Sequence, residues 1–191
     1  DRNELRNIPF APEDSALLTD LNAHRRRYRL YRKDPFLRRA HQQHPWSIVW
    51  DNHDIETAAP KAEAIQAFFE WIPIRVMPEK DRIYRSLDYG NILKVILLDT
   101  RNEGRTSYIP GTLDRSILGE EQFAWLKDEL RTSQSQWSIV VNQVLLSPFQ
   151  ALGKPLSHDS WEAFPKDRER VLRFLADEGI KNTIVVTGDA H

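Results

Sequence analysis

Apolar positions fall at helical spacing in some stretches of this chain and run nearly unbroken in others. In KAEAIQAFFEWI, Ile65, Phe68, Phe69 and Ile72 sit at i, i+3, i+4 and i+7, which predicts a helix with one apolar face, ended by Pro73. Gly119-Glu-Glu-Gln122 opens another, with early acids suited to the helix dipole and Phe123, Leu126 and Leu130 on one side. KDRERVLRFLADEG predicts a third, with Val171, Phe174 and Leu175 inward and Gly179 as its stop. Upstream, the stretch from Ala16 to Lys33 is mostly good helix formers. Asp34-Pro35 then reads as an N-cap and a Pro at N1 of a short helix running to about Gln43. The unbroken runs SIVW, LKVILLD, WSIVV and TIVVT predict four buried strands. RIYRSL and ILKVILLDT flank Asp88-Tyr-Gly-Asn91 and read as a hairpin, and LKVILLD is expected to be buried on both faces.

Composition narrows this picture only a little. The 191 residues suffice for one full domain, and no linker interrupts them. Apolar residues make up 40% and charged residues 29%, a globular balance. With 27 basic against 28 acidic residues, the whole surface is not built for a polyanion. Eight of the basic residues do cluster between Arg25 and Arg39, with Tyr28 and Tyr31 among them. That pattern suits either nucleic-acid binding or a solvated helix face. No window approaches the roughly 18 apolar residues of a membrane span, and DRNELRNIPFAPEDSALL lacks the apolar region of a signal peptide. There is no Cys, so any metal must be held by His, carboxylate, amide or water.

The candidate chemistry gathers where the strands end. SIVW runs into Asp51-Asn-His-Asp54, WSIVV into Asn142-Gln143, and TIVVT into Gly188-Asp-Ala-His191. LKVILLD ends at Asp99-Thr-Arg101, whose guanidinium would suit phosphate. In open α/β sheets, ligands bind outside the carboxyl ends of the strands. Each cluster alone reads equally as a polar turn or a backbone cap; Asn-Gln after a strand is more often backbone capping than ligation. Their repetition after three buried strands favours a site of mixed oxygen and nitrogen ligands, suited to Zn, Mn, Fe or Ca.

The chain resembles the metallophosphoesterases, and within them the PhoD-like alkaline phosphatase/phosphodiesterase group. The matching stretches are HPWSIVWDNHD, AFFEWIPIR, LLDTRNEGR, LGEEQFAWLKDEL, WSIVVNQVLLSP, DSWEAFPKDRERVLRFL and VVTGDAH, in family order from about Tyr31 to His191. The resemblance implies an α/β fold, a four-layer α-β-β-α sandwich, with residues 1–191 as the central and late part of one catalytic domain. Its opening strand, which in the family carries a Gly-Asp-Tyr-like motif and in some members a Cys ligand, has no counterpart in Asp1–Lys33. The fold is therefore expected to be incomplete on its N-terminal side.

By the same resemblance, two metal ions activate water to hydrolyse phosphate mono- or diesters. Asn52 is implied as a metal ligand, and His53 as the proton donor beside the phosphate, oriented by Asp54 or Asp51. Asp189 and His191 match the closing metal-binding motif. Asn142 stands where the superfamily commonly has a metal-binding His, and Asp51 is a further candidate oxygen donor. Arg101 is the candidate substrate-binding residue. Asn52 and Asp54 replace the Asp and Glu usual in PhoD-like proteins, which removes one negative charge from the metal site. An extracytoplasmic location is implied too, and the partner is a phosphate ester, with neither a clear nucleic-acid nor a membrane partner. Two other readings remain open: a non-catalytic α/β module whose basic helical arm binds polyanions, and a degenerate phosphatase relative.

Overall fold

The computed structural model describes residues 17–56, 59–75, 82–106, 115–148, 150–151, 154–155 and 157–189. Ala16 and His191 lie outside them. The chain divides into two compact units, Asp1–Asp81 and Arg82–His191.

Among its described residues the first unit is helical: α1 (Leu21–Tyr31), α2 (Pro35–Gln43), α3 (Asn52–Ile55) and α4 (Lys61–Trp71). Asp20 caps α1 by accepting the Ala23 N–H. Asp34 caps α2 through Phe36 and Leu37, with Pro35 in the first turn. The apolar stripe of α4 is as its spacing demands, with Ile65, Phe68 and Ile72 buried together with Ala64 and Ala67. Trp50 is wholly buried and meets Phe68 edge-on at 5.3 Å. Two polar ties join α1 to α4. The Glu63 carboxylate accepts the Leu21 N–H at 2.7 Å, and Glu70 accepts both Nε and an Nη of Arg25.

One sequence expectation fails here. Ser47–Trp50 belongs to neither sheet, and Asp51–Asp54 is not a turn after a strand but the start of the one-turn helix α3. Strand character requires a ladder partner, and this segment has none among the described residues. Its apolar run is used instead to seat Trp50 against α4.

The second unit holds a four-stranded sheet in the order β1-β2-β3-β6. β1 (Arg85–Tyr89) and β2 (Leu93–Leu97) form the expected antiparallel hairpin, turning through Gly90 at φ +60°. β3 (Trp137–Val144) lies parallel to β2, and β6 (Thr183–Asp189) parallel to β3. The connections are α5 (Gly119–Thr132) and α6 (Pro165–Asp177). A two-stranded ribbon, β4 (Gln150–Ala151) with β5 (Lys154–Pro155), lies in the loop after β3.

Both helices cover one face of the sheet. Phe123 of α5 and Phe174 of α6 meet in a T-shaped contact at 6.5 Å, over a core that includes Ile96, Leu98, Val140, Val144, Leu126 and Val171. Each such side chain contributes about 1.5–3 kcal/mol on burial. The opposite face carries an apolar row in register, Leu87, Val95, Ile139 and Ile184. It is partly open: Trp137, Ile184 and Val186 are 46%, 44% and 40% exposed. So β6 is not the buried strand that TIVVT suggested: among the described residues it is the last strand of the sheet, and its second face is partly exposed. In LKVILLD the C-terminal half, Ile96 to Asp99, is buried on both faces as expected, whereas Leu93 and Val95 are half-buried.

Candidate active site

In the first unit the candidate residues sit on α3, which is held by a reciprocal capping box. The Asp54 carboxylate accepts the Asp51 N–H at 2.8 Å, and the Asp51 carboxylate accepts the Asn52 N–H at 2.8 Å. Both acids are thus spent partly on holding the turn. The side chains between them are not: those of Asn52, half-buried, and His53, exposed, make no hydrogen bond to any described residue. Burial pushes the Asp54 carboxyl above its ordinary range; the bond from the Asp51 N–H opposes this, and the Asp51 charge adds to it. Behind α3 the Tyr28 hydroxyl is shut off from solvent. Burial raises its pKa, and the Asp54 charge adds to the rise.

In the second unit the candidate residues lie at the carboxyl ends of β2, β3 and β6. The end of β2 is fixed by side-chain amides standing in for strands. Gln122 pairs with the backbone of Asp99, accepting its N–H and donating to its carbonyl, both at 2.8 Å. Gln143 donates to the Leu98 carbonyl at 2.9 Å and accepts from the Thr100 N–H and hydroxyl at 3.1 and 2.6 Å. The Asp99 carboxylate turns onto its own loop and takes the N–H groups of Arg101, Asn102 and Glu103. A carboxylate so engaged holds the loop in place.

Arg101 is 1% exposed, and its guanidinium is ion-paired with Asp159, which Arg105 also engages. The candidate substrate-binding arginine is therefore committed to tying the loop after β2 to the segment before Trp161. The loop is further pinned by Gly104, whose Cα hydrogen position faces Gly119. A Cβ there would lie 2.3 Å from the Leu118 carbonyl, and the residue has φ +75°.

Asn142 faces the helix-covered core, 2% exposed. Its Oδ1 accepts from the Trp161 indole at 2.9 Å and its Nδ2 donates to the Val186 carbonyl at 3.2 Å. Any ligand bond would use the remaining lone pair of Oδ1. Asp189, half-buried, closes β6 opposite Val144. The sequence reading thus found Asn52, His53 and Asp189 as polar groups after apolar runs. It missed Gln122, Asp159 and Trp161, whose roles depend on partners from 19 to 58 residues away. Gln143 fits the backbone-capping alternative, applied to a neighbouring strand instead of its own.

A mixed sheet with polar groups clustered at the carboxyl ends of its parallel strands is the α/β architecture in which ligands sit outside those ends. The sequence matches the PhoD-like phosphatase family over residues 2–191, and the chain belongs to that family. It is 31% identical to alkaline phosphatase D of Bacillus subtilis (strain 168), in an alignment covering 93% of this chain and 36% of the relative. A solved structure of PhoD superposes with a TM-score of 0.80 at 30% identity, covering 94% of this chain and 41% of that one. The chain thus spans well under half the length of either relative.

Proposed function

We propose that the protein hydrolyses phosphate mono- or diesters by a metal-dependent route that uses a binuclear centre. One observation carries the reading to the residue level. On α3, the side chains of Asn52 and His53 make no hydrogen bond to any described residue, while the two acids on either side are used to hold the turn. The donor set is consistent with hard and borderline ions: amide and carboxylate oxygens and imidazole, with no thiolate. In the first unit Asn52 is the proposed ligand, with Asp51 as a further oxygen donor. In the second unit the proposed ligands are Asp189 and His191, with Asn142 contributing through its spare lone pair.

Bound ions of this kind polarise phosphoryl oxygens and lower the pKa of water toward about 7. The chain's own part is proton handling and positioning. His53 donates a proton to the leaving oxygen, and the charge of Asp54 or Asp51 in the same turn favours its protonated form. Arg101 and Arg105 act through Asp159 to hold the loop after β2 in place.

The test is metal analysis of the purified protein together with assays on p-nitrophenyl phosphate and bis-p-nitrophenyl phosphate. Hydrolysis abolished by chelation and restored by added metal is expected. His53→Ala is expected to lower turnover by about 10²–10⁴ with metal content unchanged. Wild-type turnover in that variant would remove His53 from the mechanism.

A further inference from the structure

We propose that Trp161 is a positioning residue for the metal centre, holding the Asn142 amide with its oxygen turned the way a ligand requires. This role rests on the metal-dependent reading above, to which it adds a residue that touches neither ion nor substrate. It begins with the alternation of side chains along a strand. In β3, Val140, Asn142 and Val144 share the face that the helices cover, and the register sets them beside Val185, Thr187 and Asp189 of β6. Asn142 and the proposed ligand Asp189 therefore stand on one face, diagonal to each other across the two strands.

An asparagine amide carries an oxygen and an NH2 that exchange places when it flips, and only the oxygen can bind a cation. Here the partners leave one orientation. The Trp161 indole can only donate, so the end it meets at 2.9 Å is Oδ1. The Val186 carbonyl can only accept, so the end it meets at 3.2 Å is Nδ2. A flip would set donor against donor and acceptor against acceptor in a buried place, where unmatched groups are costly. No other donor among the described residues reaches Oδ1, and Leu146, Val171, Leu175 and Val185 line the space beside the pair.

Trp161 can impose this orientation because it is itself fixed. It is 1% exposed, its backbone N–H donates to the Leu145 carbonyl at 3.3 Å, and its carbonyl accepts the Phe164 N–H at 3.0 Å. The indole is thus anchored to the residue that follows β3. Through the amide it also reaches β6, at the Val186 carbonyl, upstream of Asp189 on the same strand. Without the indole N–H, Asn142 loses the partner that tells its two ends apart, and its side-chain bond to β6 loosens. Partners that orient a ligand in this way govern how tightly the ion is held.

The experiment is titration of the full chain with Zn2+, followed by calorimetry and by the NMR resonance of the Trp161 indole N–H, one of six such groups. That resonance is expected to move upfield as Zn2+ binds, because the ion draws charge from the oxygen they share. Trp161→Phe, studied well below its own melting temperature, should bind Zn2+ about 10–100-fold more weakly. Thr187→Val removes a hydroxyl bond to the Asn142 backbone carbonyl at 3.2 Å and leaves the amide alone, so it should bind as the wild type does. An indole resonance that stays still while Zn2+ binds, or equal affinity in folded Trp161→Phe, would overturn the role of Trp161. Should that variant not fold, the wild-type resonance decides by itself. A wild type that takes up no Zn2+ would overturn the metal-dependent reading and this role with it. Absence of any binding heat tells that failure from the other.

Discussion

Asn52 and His53 were visible in the sequence because polar residues followed an apolar run, but the use of Asp51 and Asp54 to hold the turn was not. It comes from the capping box, which occupies the acids and leaves the amide and imidazole to be presented. Asn142 shows the converse. It has the right residue type at a strand end, and only the fold reveals that Trp161 and the Val186 carbonyl already claim its amide. A third residue, His24, was not singled out by sequence because it sits among eight basic neighbours. It is 2% exposed, and burial lowers its pKa below the ordinary 6.5, with Glu63 and Asp20 opposing the shift. A depressed folded pKa means that the unfolded chain takes up the proton first. Stability contributed by neutral His24 is therefore present above about pH 6.5 and lost as the solution is acidified below it. Urea titrations across that range should show a falling midpoint in the wild type and a flatter profile in His24→Gln.

At the scale of elements, limits were legible wherever local chemistry sets them. Asp34-Pro35 placed the start of α2, and the four-residue pattern from Ile65 to Ile72 placed the buried face of α4. Where a tertiary partner decides, the sequence misled: SIVW has strand composition but no ladder among the described residues, and TIVVT lies at a half-open edge of the described sheet. The start of α5 was announced by Gly119-Glu-Glu-Gln122, but the group that caps it is not local. Leu118 gives it no side-chain cap. Instead Asp167 of α6, 4% exposed, reaches across to accept from the Ser116 hydroxyl and from the N–H groups of Ile117 and Leu118, while pairing with Arg170 at 3.0 Å. Asp167→Ala leaves two buried N–H groups without an acceptor and should cost about 3 kcal/mol. For a domain of this size that lowers the thermal midpoint by roughly 10 °C, measurable by calorimetry. Asp167→Asn, which keeps an acceptor oxygen, should lose less.

At the scale of the whole molecule, the hairpin followed from periodicity, and the α/β class and family membership from the resemblance that motif order carries. The one-sided covering of the sheet did not, because WSIVV and TIVVT read alike whether or not a second layer is present. In the structure the face bearing Val95, Ile139 and Ile184 stays partly open, with Trp137 and Val186 beside them. Contiguous apolar surface of this kind promotes association, and an edge strand adds unpaired backbone groups to it. The chain should bind an apolar dye in its native state and elute ahead of a monomer at high concentration. Val186→Lys with Ile184→Thr should shift elution toward the monomer while leaving the thermal midpoint within about 1 kcal/mol equivalent.

The amide pairs made by Gln122 and Gln143 have a consequence in time as well as in space. The N–H groups of Asp99 and Thr100 lie beyond the last residue of β2, yet each is bonded to a buried side-chain amide. Hydrogen exchange at such positions requires those glutamines to let go, which couples two loop amides to the opening of α5 and β3. Asp99 and Thr100 should therefore exchange with deuterium as slowly as Ile96 in mid-strand. In Gln143→Leu, Thr100 should become fast while Asp99 stays slow. A segment that looks like a loop on paper would then keep the tempo of the sheet.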